Sequence, residues 1–300
     1  SREPETWVMM IEKAYAKWLR NPGGYDGLNL GLVTEALVAL TGGASNELNI
    51  RSPAIQAEAR SGKLWRRLVE LKRVGASLGC GSPSGHDSFW DINGIVQGHA
   101  YAILDLRKVQ LPDGNNGSRE VEMLLIRNPW GRNPWDLQPP LWYTHSMKPN
   151  PNQPWPIRSL DWSPMSIKWN TNGGTFVKRL LNWNPASDGA TGKFWVTLED
   201  FLNSFAVIFT CRLPSTFCST KRDHWSFSNV HQRSGGILTC PTGHQNPQWK
   251  IEIKKDAPLF MTLTQQAESF ENLKYIMMAL VPNRGKGLIK PIGQEDMEMK

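Results

Sequence analysis

A histidine and an asparagine occupy the far ends of two apolar segments that a turn-forming sequence joins. His99 begins the segment 99–109, and Asn128 ends the segment 121–128. The residues between the segments include Pro112-Asp113-Gly114 and Asn115-Asn116-Gly117, and Gly and Asn tolerate the backbone conformations of tight reversals. The pattern predicts a β-hairpin whose turn is centred on Asp113/Gly114. Residues equidistant from a turn face one another, so His99 and Asn128 are expected to meet at the open end.

An imidazole beside a carboxamide is suited to the acid–base work of a thiol peptidase. The Asn side chain orients the ring through one nitrogen, and the other nitrogen takes a proton from a cysteine and later returns it to the leaving amine. Gly98 would let a substrate backbone approach closely, and Trp130 would keep water off the pair. The alternative is that His99 and Trp130 are ordinary structural residues, because a short motif is only a hypothesis.

Several motifs occur in the order found in calpain-type cysteine peptidases, and they cover most of the chain. The strongest are Gly94-Ile95-Val96-Gln97-Gly98-His99-Ala100-Tyr101 and Arg127-Asn128-Pro129-Trp130-Gly131. The others are Trp7 to Lys17, Thr34-Glu35, Thr41-Gly42-Gly43, Leu78-Gly79-Cys80, Phe194-Trp195, Leu198 to Phe201 and Asn246-Pro247-Gln248-Trp249. The chain therefore resembles the C-terminal half of that family's catalytic core and the start of the β-sandwich domain that follows it.

The resemblance implies an α+β fold, the second half of a papain-like protease core with helices and an antiparallel sheet, followed by a partial β-sandwich. We assign residues 1–213 to the His/Asn subdomain and residues 214–300 to the β-sandwich. It also implies a calcium-dependent cysteine-type endopeptidase acting on protein substrates, with His99 and Asn128 as catalytic residues and Trp130 and Gly98 as active-site shield and substrate approach.

Composition excludes some classes of protein. The hydrophobic fraction is 40% and no apolar run approaches a membrane span of about 20 residues, so we expect a cytoplasmic, intracellular protein. No signal peptide is visible at the start. The net charge is +7, but no nucleic-acid-binding motif accompanies it, so we expect no nucleic-acid partner.

Four cysteines occur without a CxxC pair, which favours reduced thiols. Cys240 with His244, His224 and His231 lacks the two close ligand pairs typical of zinc sites, so we assign no metal ligands. The family's catalytic cysteine lies in a Gly-x-Cys-Trp-like segment upstream of the helix at Trp7, and no such segment occurs here. Cys80 matches a different, structural position. The chain alone thus lacks a nucleophile, and the upstream half of the core is an expected partner.

Calcium is expected from the family resemblance only. The acidic ligands of the family's calcium site are replaced by Pro134, Pro164, Thr191 and Lys193 in our alignment. Hard cations need carboxylate or carbonyl oxygens, and these four side chains supply no negative charge. Asp188 and nearby backbone carbonyls leave weak binding open.

Periodicity predicts the remaining elements. We expect a helix that starts with Thr6 as its N-cap and a second helix over 32–40 that Gly42-Gly43 closes. A third helix should run from Ser52-Pro53 to Gly75, with Leu64, Leu68 and Leu71 on one face. A further helix should follow the capping box at Thr197, and a strand should follow over 206–213. Trp135, Trp142, Trp155, Trp162 and Trp169 either pin loops onto the sheet or grip extended peptide. Short strands after the boundary at 214–221 suggest a β-sandwich that contacts proteins or membranes.

Two other functions remain open. The chain could belong to a catalytically inactive calpain-like scaffold that binds extended segments through its Trp-rich surface and β-sandwich. It could also be a regulatory binder of acidic membrane surfaces.

Overall fold

The computed structural model describes residues 6–19, 24–29, 31–87, 89, 91, 93–113, 117–131, 162–164 and 166–213, with short pieces between 240 and 280. The chain divides into two compact units, Ser1–Pro214 and Ser215–Lys300. The α-helices are α1 Trp7–Trp18, α2 Val33–Thr41, α3 Pro53–Arg60, α4 Lys63–Arg73, α5 Asn172–Leu180, α6 Pro185–Gly189 and α7 Leu198–Ser204. The strands are β1 Ala44–Asn49, β2 Ser77–Gly81, β3 Ala100–Asp113, β4 Gly117–Arg127, β5 Lys193–Thr197 and β6 Val207–Arg212. The first unit is thus α+β, as predicted.

The six strands form one sheet in the order β1-β6-β2-β3-β4-β5, and every neighbouring pair is antiparallel. The predicted hairpin is the β3–β4 pair, the fourth and fifth strands of this order. Its turn centre was predicted wrongly, because Asp113 pairs with Gly117 and the reversal is therefore centred on position 115. The shift arises because β3 continues through Pro112, a residue that we had placed in the turn.

Apolar side chains are buried on both faces of the sheet. The face under α4 and α7 carries the larger core, which includes Leu64, Leu68, Tyr101, Ile103, Leu124, Ile126, Phe194, Phe201 and Phe205. The opposite face carries a second core of Val109, Leu111, Met123, Val177 and four tryptophans, Trp162, Trp169, Trp183 and Trp195. The tryptophans of this region that the structure describes therefore pack loops against the sheet. Trp135, Trp142 and Trp155 lie outside the described residues.

A β-bulge separates the two ends of β3. The register shifts between Ile103 and Asp105, so Leu104 is an extra residue on this strand. An extra residue reverses the alternation of side chains, which otherwise point to opposite faces in turn. Accordingly, Tyr101 and Ile103 face the larger core before the bulge, whereas Leu106 faces it afterwards. Without the bulge, Tyr101 would point toward the tryptophan core.

Capping and chain breaks explain the helix ends. Thr197 caps α7, since its Oγ accepts from the Asp200 backbone N–H at 3.1 Å, as its sequence pattern predicted. Thr6 occupies the N-cap position of α1, but its side chain makes no capping hydrogen bond. The predicted segment from Ser52 to Gly75 is two helices, α3 and α4, that Ser61-Gly62 separates.

Few residues of the second unit are described, so most of the β-sandwich that we predicted over 214–300 lies outside them. Within the part of the chain that is described, no helix has both the length and the apolar character needed to cross a bilayer.

Candidate active site

The hairpin brings His99 and Asn128 together at the edge where β3 begins and β4 ends. The ring Nε2 of His99 lies 3.0 Å from Oδ1 of Asn128. The ladder pairs Ala102 with Arg127, so its next step places Tyr101, rather than His99, opposite Asn128. His99 is two residues farther along and therefore lies on the same face of the strand as Tyr101. The meeting of the two side chains thus depends on the bulge as well as on the turn.

Hydrogen bonds fix the orientation of Asn128, whose side chain is completely buried. Its backbone N–H donates to the Gly192 carbonyl at 2.9 Å, which ties the end of β4 to the start of β5. Its Oδ1 accepts both from His99 and from the Trp130 backbone N–H at 3.1 Å. An oxygen can only accept, so the His99 proton resides on Nε2 and Nδ1 keeps its lone pair. The Nδ2 amide of Asn128 is buried without a partner.

Trp130 lies against the imidazole. The two ring centroids are 4.4 Å apart at an interplanar angle of 47°, and the indole remains 41% exposed. The ring therefore separates part of the His99–Asn128 hydrogen bond from solvent. A buried hydrogen bond is electrostatically stronger than one in water, so this contact favours a fixed imidazole orientation.

The loop 82–98 holds the backbone of His99. The Ser82 Oγ accepts from the His99 N–H at 2.9 Å, and the Ser82 N–H donates to the His99 carbonyl at 3.0 Å. Gly98 donates to the Pro83 carbonyl at 2.8 Å and adopts a φ of +55°. A Cβ at this position would lie 2.1 Å from the Gly85 carbonyl oxygen, so only glycine fits. Gly98 thus serves close packing within its own loop.

Burial makes the protonated His99 imidazole a stronger acid than an exposed one, so it loses its proton more readily. Desolvation lowers the pKa of the imidazole below its ordinary value, although the Asn128 hydrogen bond and the nearby Asp87 carboxylate act in the opposite direction. The ring is therefore neutral at neutral pH, with an available lone pair on Nδ1. This is the protonation state that a general base requires.

Two supporting residues were not identified from the sequence. The Tyr101 hydroxyl accepts from the Val96 N–H at 2.9 Å, and its ring edge contacts His99 with a centroid distance of 5.0 Å. The Asp91 Oδ1 accepts from the N–H groups of Asn93 and Ile95, both at 2.8 Å. Tyr101 lies two residues beyond His99 on the same strand face, which is a signal that alternation alone could have supplied.

Comparison with known proteins agrees with this geometry. The profile described as calpain family cysteine protease matches residues 1–146, a range that includes His99, Asn128 and Trp130. The chain is 36% identical over 271 residues to the maize calpain-type cysteine protease DEK1, an alignment that covers 88% of this chain. It is 34% identical over 305 residues to the rice calpain-type cysteine protease ADL1, covering 95% of this chain. The chain belongs to the calpain family.

These calpain relatives are much longer than the chain. The alignments cover 10% of maize DEK1 and 12% of rice ADL1. Mouse calpain-5 is 28% identical over 281 residues, which are 87% of this chain and 39% of that protein. The chain thus corresponds to a calpain cysteine protease region.

The two completely buried cysteines of this calpain region, Cys80 and Cys211, are not suited to attack a substrate. Cys80 is completely buried in β2, and desolvation raises the pKa of its thiol well above the ordinary value. Because the thiolate is the nucleophile, such a cysteine is inert. Cys211 is also buried, and its Sγ lies 3.6 Å from the Thr41 hydroxyl. Cys218 lies outside the described residues.

The positions aligned with the family's calcium ligands do not fit a calcium ion. Lys193 directs its ammonium at Asp188, with Nζ 3.4 Å from Oδ1, so a side-chain cation already faces this carboxylate. The Asp188 Oδ2 accepts from the Asn184 N–H at 2.9 Å. The Pro164 ring packs against Gly189, where a Cβ would come within 2.6 Å of it. Pro134 lies outside the described residues, among which no cluster of three or more His, Cys, Asp or Glu side chains occurs.

Proposed function

We propose that this chain is the His/Asn half of the catalytic region of an intracellular calpain-like cysteine endopeptidase, in which a cysteine upstream of the chain attacks the peptide carbonyl. The observation that carries the proposal is the 3.0 Å contact between His99 Nε2 and Asn128 Oδ1 beneath the Trp130 ring. Each atom has the role that peptide hydrolysis by a thiol requires.

In this mechanism the neutral His99 acts first as a base. Its Nδ1 accepts the thiol proton as the cysteine sulfur attacks the scissile carbonyl, and the resulting imidazolium then protonates the leaving amine. The Asn128 carbonyl holds the Nε2 proton throughout, so the ring cannot turn its lone pair away. Trp130 limits the access of water to that hydrogen bond. Water then hydrolyses the thioester, with His99 again as the base.

Helix α1 offers a surface for the missing half of the protease core. Its exposed apolar side chains are Trp7, Val8, Met9, Met10, Ile11 and Trp18, with exposures between 43% and 67%, and Ala16 is its buried residue. A helix that is apolar around most of its circumference is normally covered by other protein. Because the calpain relatives extend far beyond the aligned region, we propose that the upstream half covers this helix.

The domain assignment belongs to the same proposal. We assign residues 1–213 to the catalytic subdomain and 214–300 to the beginning of a β-sandwich that contacts proteins or membranes. The proposed location of the enzyme is the cytoplasm, where its cysteines would stay reduced. Nucleic acid is not among the proposed partners.

The function is tested in the full-length protein with a peptide-based thiol electrophile and a casein substrate. We expect labelling and cleavage in the wild type, and a loss of cleavage by a factor on the order of 10⁴ in His99→Ala, since a catalytic His acts as a unit with its nucleophile. Arg66→Ala, on the exposed side of α4, is the control and should retain wild-type activity.

The sequence immediately upstream supplies an independent check. A Gly-x-Cys-Trp-like segment there supports the proposal. Ser, Gly or Asp in place of that cysteine, together with absent labelling, would overturn it and favour the inactive scaffold, whose binding to extended segments would then be measured directly.

A further inference from the structure

We propose that Tyr101 is a positioning residue for His99, which it holds through two separate contacts of one side chain. Its ring edge supports the imidazole, and its hydroxyl fixes the loop that leads into His99. The catalytic consequence rests on the proposed function, whereas the structural consequence can be measured without any activity.

The ring of Tyr101 lies between the site and the larger core. It meets the His99 ring edge-on, with centroids 5.0 Å apart and an interplanar angle of 84°. It also contacts Phe205, at 5.4 Å and 88°, and Phe194, at 6.2 Å and 89°. Phe194 and Phe205 are completely buried. Edge-to-face pairs resist rotation of either ring, so the core restricts the imidazole through Tyr101.

The hydroxyl of Tyr101 acts on the backbone instead. It accepts the Val96 N–H at 2.9 Å in a fully buried environment, where Val96 and Ile95 are both 0% exposed. Leaving a buried N–H without a partner is costly, so this bond strongly favours one loop conformation. Burial raises the pKa of Tyr101 far above its ordinary value, so the hydroxyl stays neutral.

Two residues, Gln97 and Gly98, lie between Val96 and His99, and backbone hydrogen bonds fix both of them. Gln97 donates to the Phe89 carbonyl at 2.8 Å, and Gly98 donates to the Pro83 carbonyl at 2.8 Å. The loop is thus pinned at three consecutive residues, 96–98, and of these three bonds the one at Val96 is made by a side chain. Removing it should release the start of this run while the rest of the sheet remains intact.

A purely structural tyrosine would behave differently from a positioning one. Tyr101→Phe keeps the ring and deletes only the hydroxyl, so it separates the two contacts. Phe205→Leu instead weakens the support under the ring and leaves the Val96 bond in place. Tyr25→Phe removes a hydroxyl from a side chain that is 59% exposed and serves as the matched control.

The first test is hydrogen exchange and histidine NMR on the 300-residue chain. In Tyr101→Phe we expect exchange of the Val96 to His99 amides to accelerate by at least about tenfold, as a bond of roughly 1.4 kcal/mol implies, and the His99 pKa to move toward its ordinary value as the loop opens. Tyr25→Phe should change neither, and Phe205→Leu should change the His99 signals without selectively releasing Val96.

The second test uses the full-length protein, in which Tyr101→Phe should lower kcat several-fold and shift the pH profile while KM stays unchanged. The inference would be overturned if Tyr101→Phe changed neither the His99 pKa nor the amide exchange of the loop. Rapid exchange of the Val96 amide in the wild type would also overturn it, and that measurement needs no variant. If the wild-type enzyme proves inactive but the exchange results hold, the proposed function fails and the structural inference stands.

Discussion

The two residues of the site are held by different kinds of interaction. On the His99 side, loop 82–98 is fixed by buried neutral groups and a partly buried carboxylate, chiefly Tyr101 and Asp91. On the Asn128 side, a backbone bond to Gly192 joins a segment whose further contacts are half-exposed ions, such as Lys193 with Asp188 at 3.4 Å. Exposed ion pairs contribute about 0–1 kcal/mol, whereas orphaning a buried polar group costs about 1–3 kcal/mol.

This difference predicts how much substitutions on each side of the site should destabilise the chain. Changes on the His99 side should be costly and independent of salt, because the groups are desolvated. Changes on the Asn128 side should be mild and sensitive to salt, because solvent screens the charges. The hydrogen bond between His99 and Asn128 then joins a side held by desolvated groups to a side whose outer contacts are partly solvated ion pairs.

The largest loss of unfolding free energy is expected from Gly98→Ala on the His99 side. A residue other than glycine at positive φ costs roughly 1–2 kcal/mol, and the displacement of the Gly85 backbone adds about 1–3 kcal/mol. Gly131→Ala, near Asn128, is the matched control, because its φ is +73° but no atom of the described residues lies within 4 Å of the added Cβ. Urea unfolding of the three proteins measures the difference.

Gly131→Ala should therefore show the conformational cost alone, and Gly98→Ala clearly more. Equal losses of unfolding free energy in the two variants would mean that Gly85 moves aside without cost. In that case loop 82–98 would be adaptable, and the contrast between the two sides would not hold.

The next effect compares two aspartates. Asp91→Ala should destabilise the chain by about 1–3 kcal/mol, because the N–H groups of Asn93 and Ile95 lose an acceptor that is partly buried. Asp188→Ala should cost under about 1 kcal/mol, because its partner Lys193 remains partly solvated. Thermal and urea unfolding in low and high salt give both values. A larger loss in Asp188→Ala would reverse the proposed ranking of the two sides.

Much of this arrangement could be predicted from local pattern. The hairpin, α1, α2, α7 and β6 follow from periodicity, caps and turn residues, and these elements determine that His99 and Asn128 approach one another. The bulge at Leu104 could not be predicted, because an extra residue in a strand leaves no mark in a run as apolar as Ala100 to Leu104. We predicted that His99 would lie opposite Asn128, but Tyr101, two residues farther along the strand, occupies that position. The predicted face of the strand was still correct, because side chains alternate between the two faces with a period of two.

Other features depend on tertiary contacts that short patterns do not encode. The sequence of β1, Ala44–Asn49, has little apolar alternation, and it becomes a strand because β6 supplies its hydrogen bonds. The role of Tyr101 requires knowing that Val96 folds back over it. Likewise, Lys193 contacts Asp188, which lies five residues earlier across a turn. The sequence showed that Lys193 replaces an acidic residue of the family, but it did not show that its ammonium faces the Asp188 carboxylate.

A smaller effect should appear in the pH dependence of stability. The pKa of His99 is lowered on folding, so the unfolded chain binds more protons and stability should fall as pH drops below the ordinary value of 6.5. The pKa of Asp91 is raised, mainly by burial, so its contribution has the opposite sign and is lost as pH rises from 3.8 through the folded-state value. Unfolding free energies of wild type, His99→Gln and Asp91→Asn across this range separate the two contributions.

Replacing His99 or Asp91 should reduce the pH dependence of the unfolding free energy in the pH range where that residue titrates. His99→Gln should reduce the loss of stability on acidification, and Asp91→Asn should reduce the loss on raising pH. If His99→Gln instead increases the loss on acidification, the imidazole is charged in the folded protein and is not the neutral base that we propose.

The smallest effect on stability is expected from the addition of calcium. We propose that calcium does not act through the Asp188 segment, because Lys193 already neutralises this carboxylate and Pro164 packs against Gly189. Calcium should therefore leave the melting temperature of the wild-type chain unchanged relative to EDTA. Lys193→Met should cost less than about 1 kcal/mol, since a partly exposed ion pair contributes little.

Lys193→Glu sharpens this test by charge reversal. Two carboxylates would then face one another across the turn, so the variant should be less stable than Lys193→Met in EDTA and should regain stability in calcium at concentrations on the order of millimolar. Stabilisation of the wild type by calcium would contradict the proposal and would place the ion elsewhere in the chain. A response confined to Lys193→Glu would show that one ammonium group makes the Asn128 side independent of a metal.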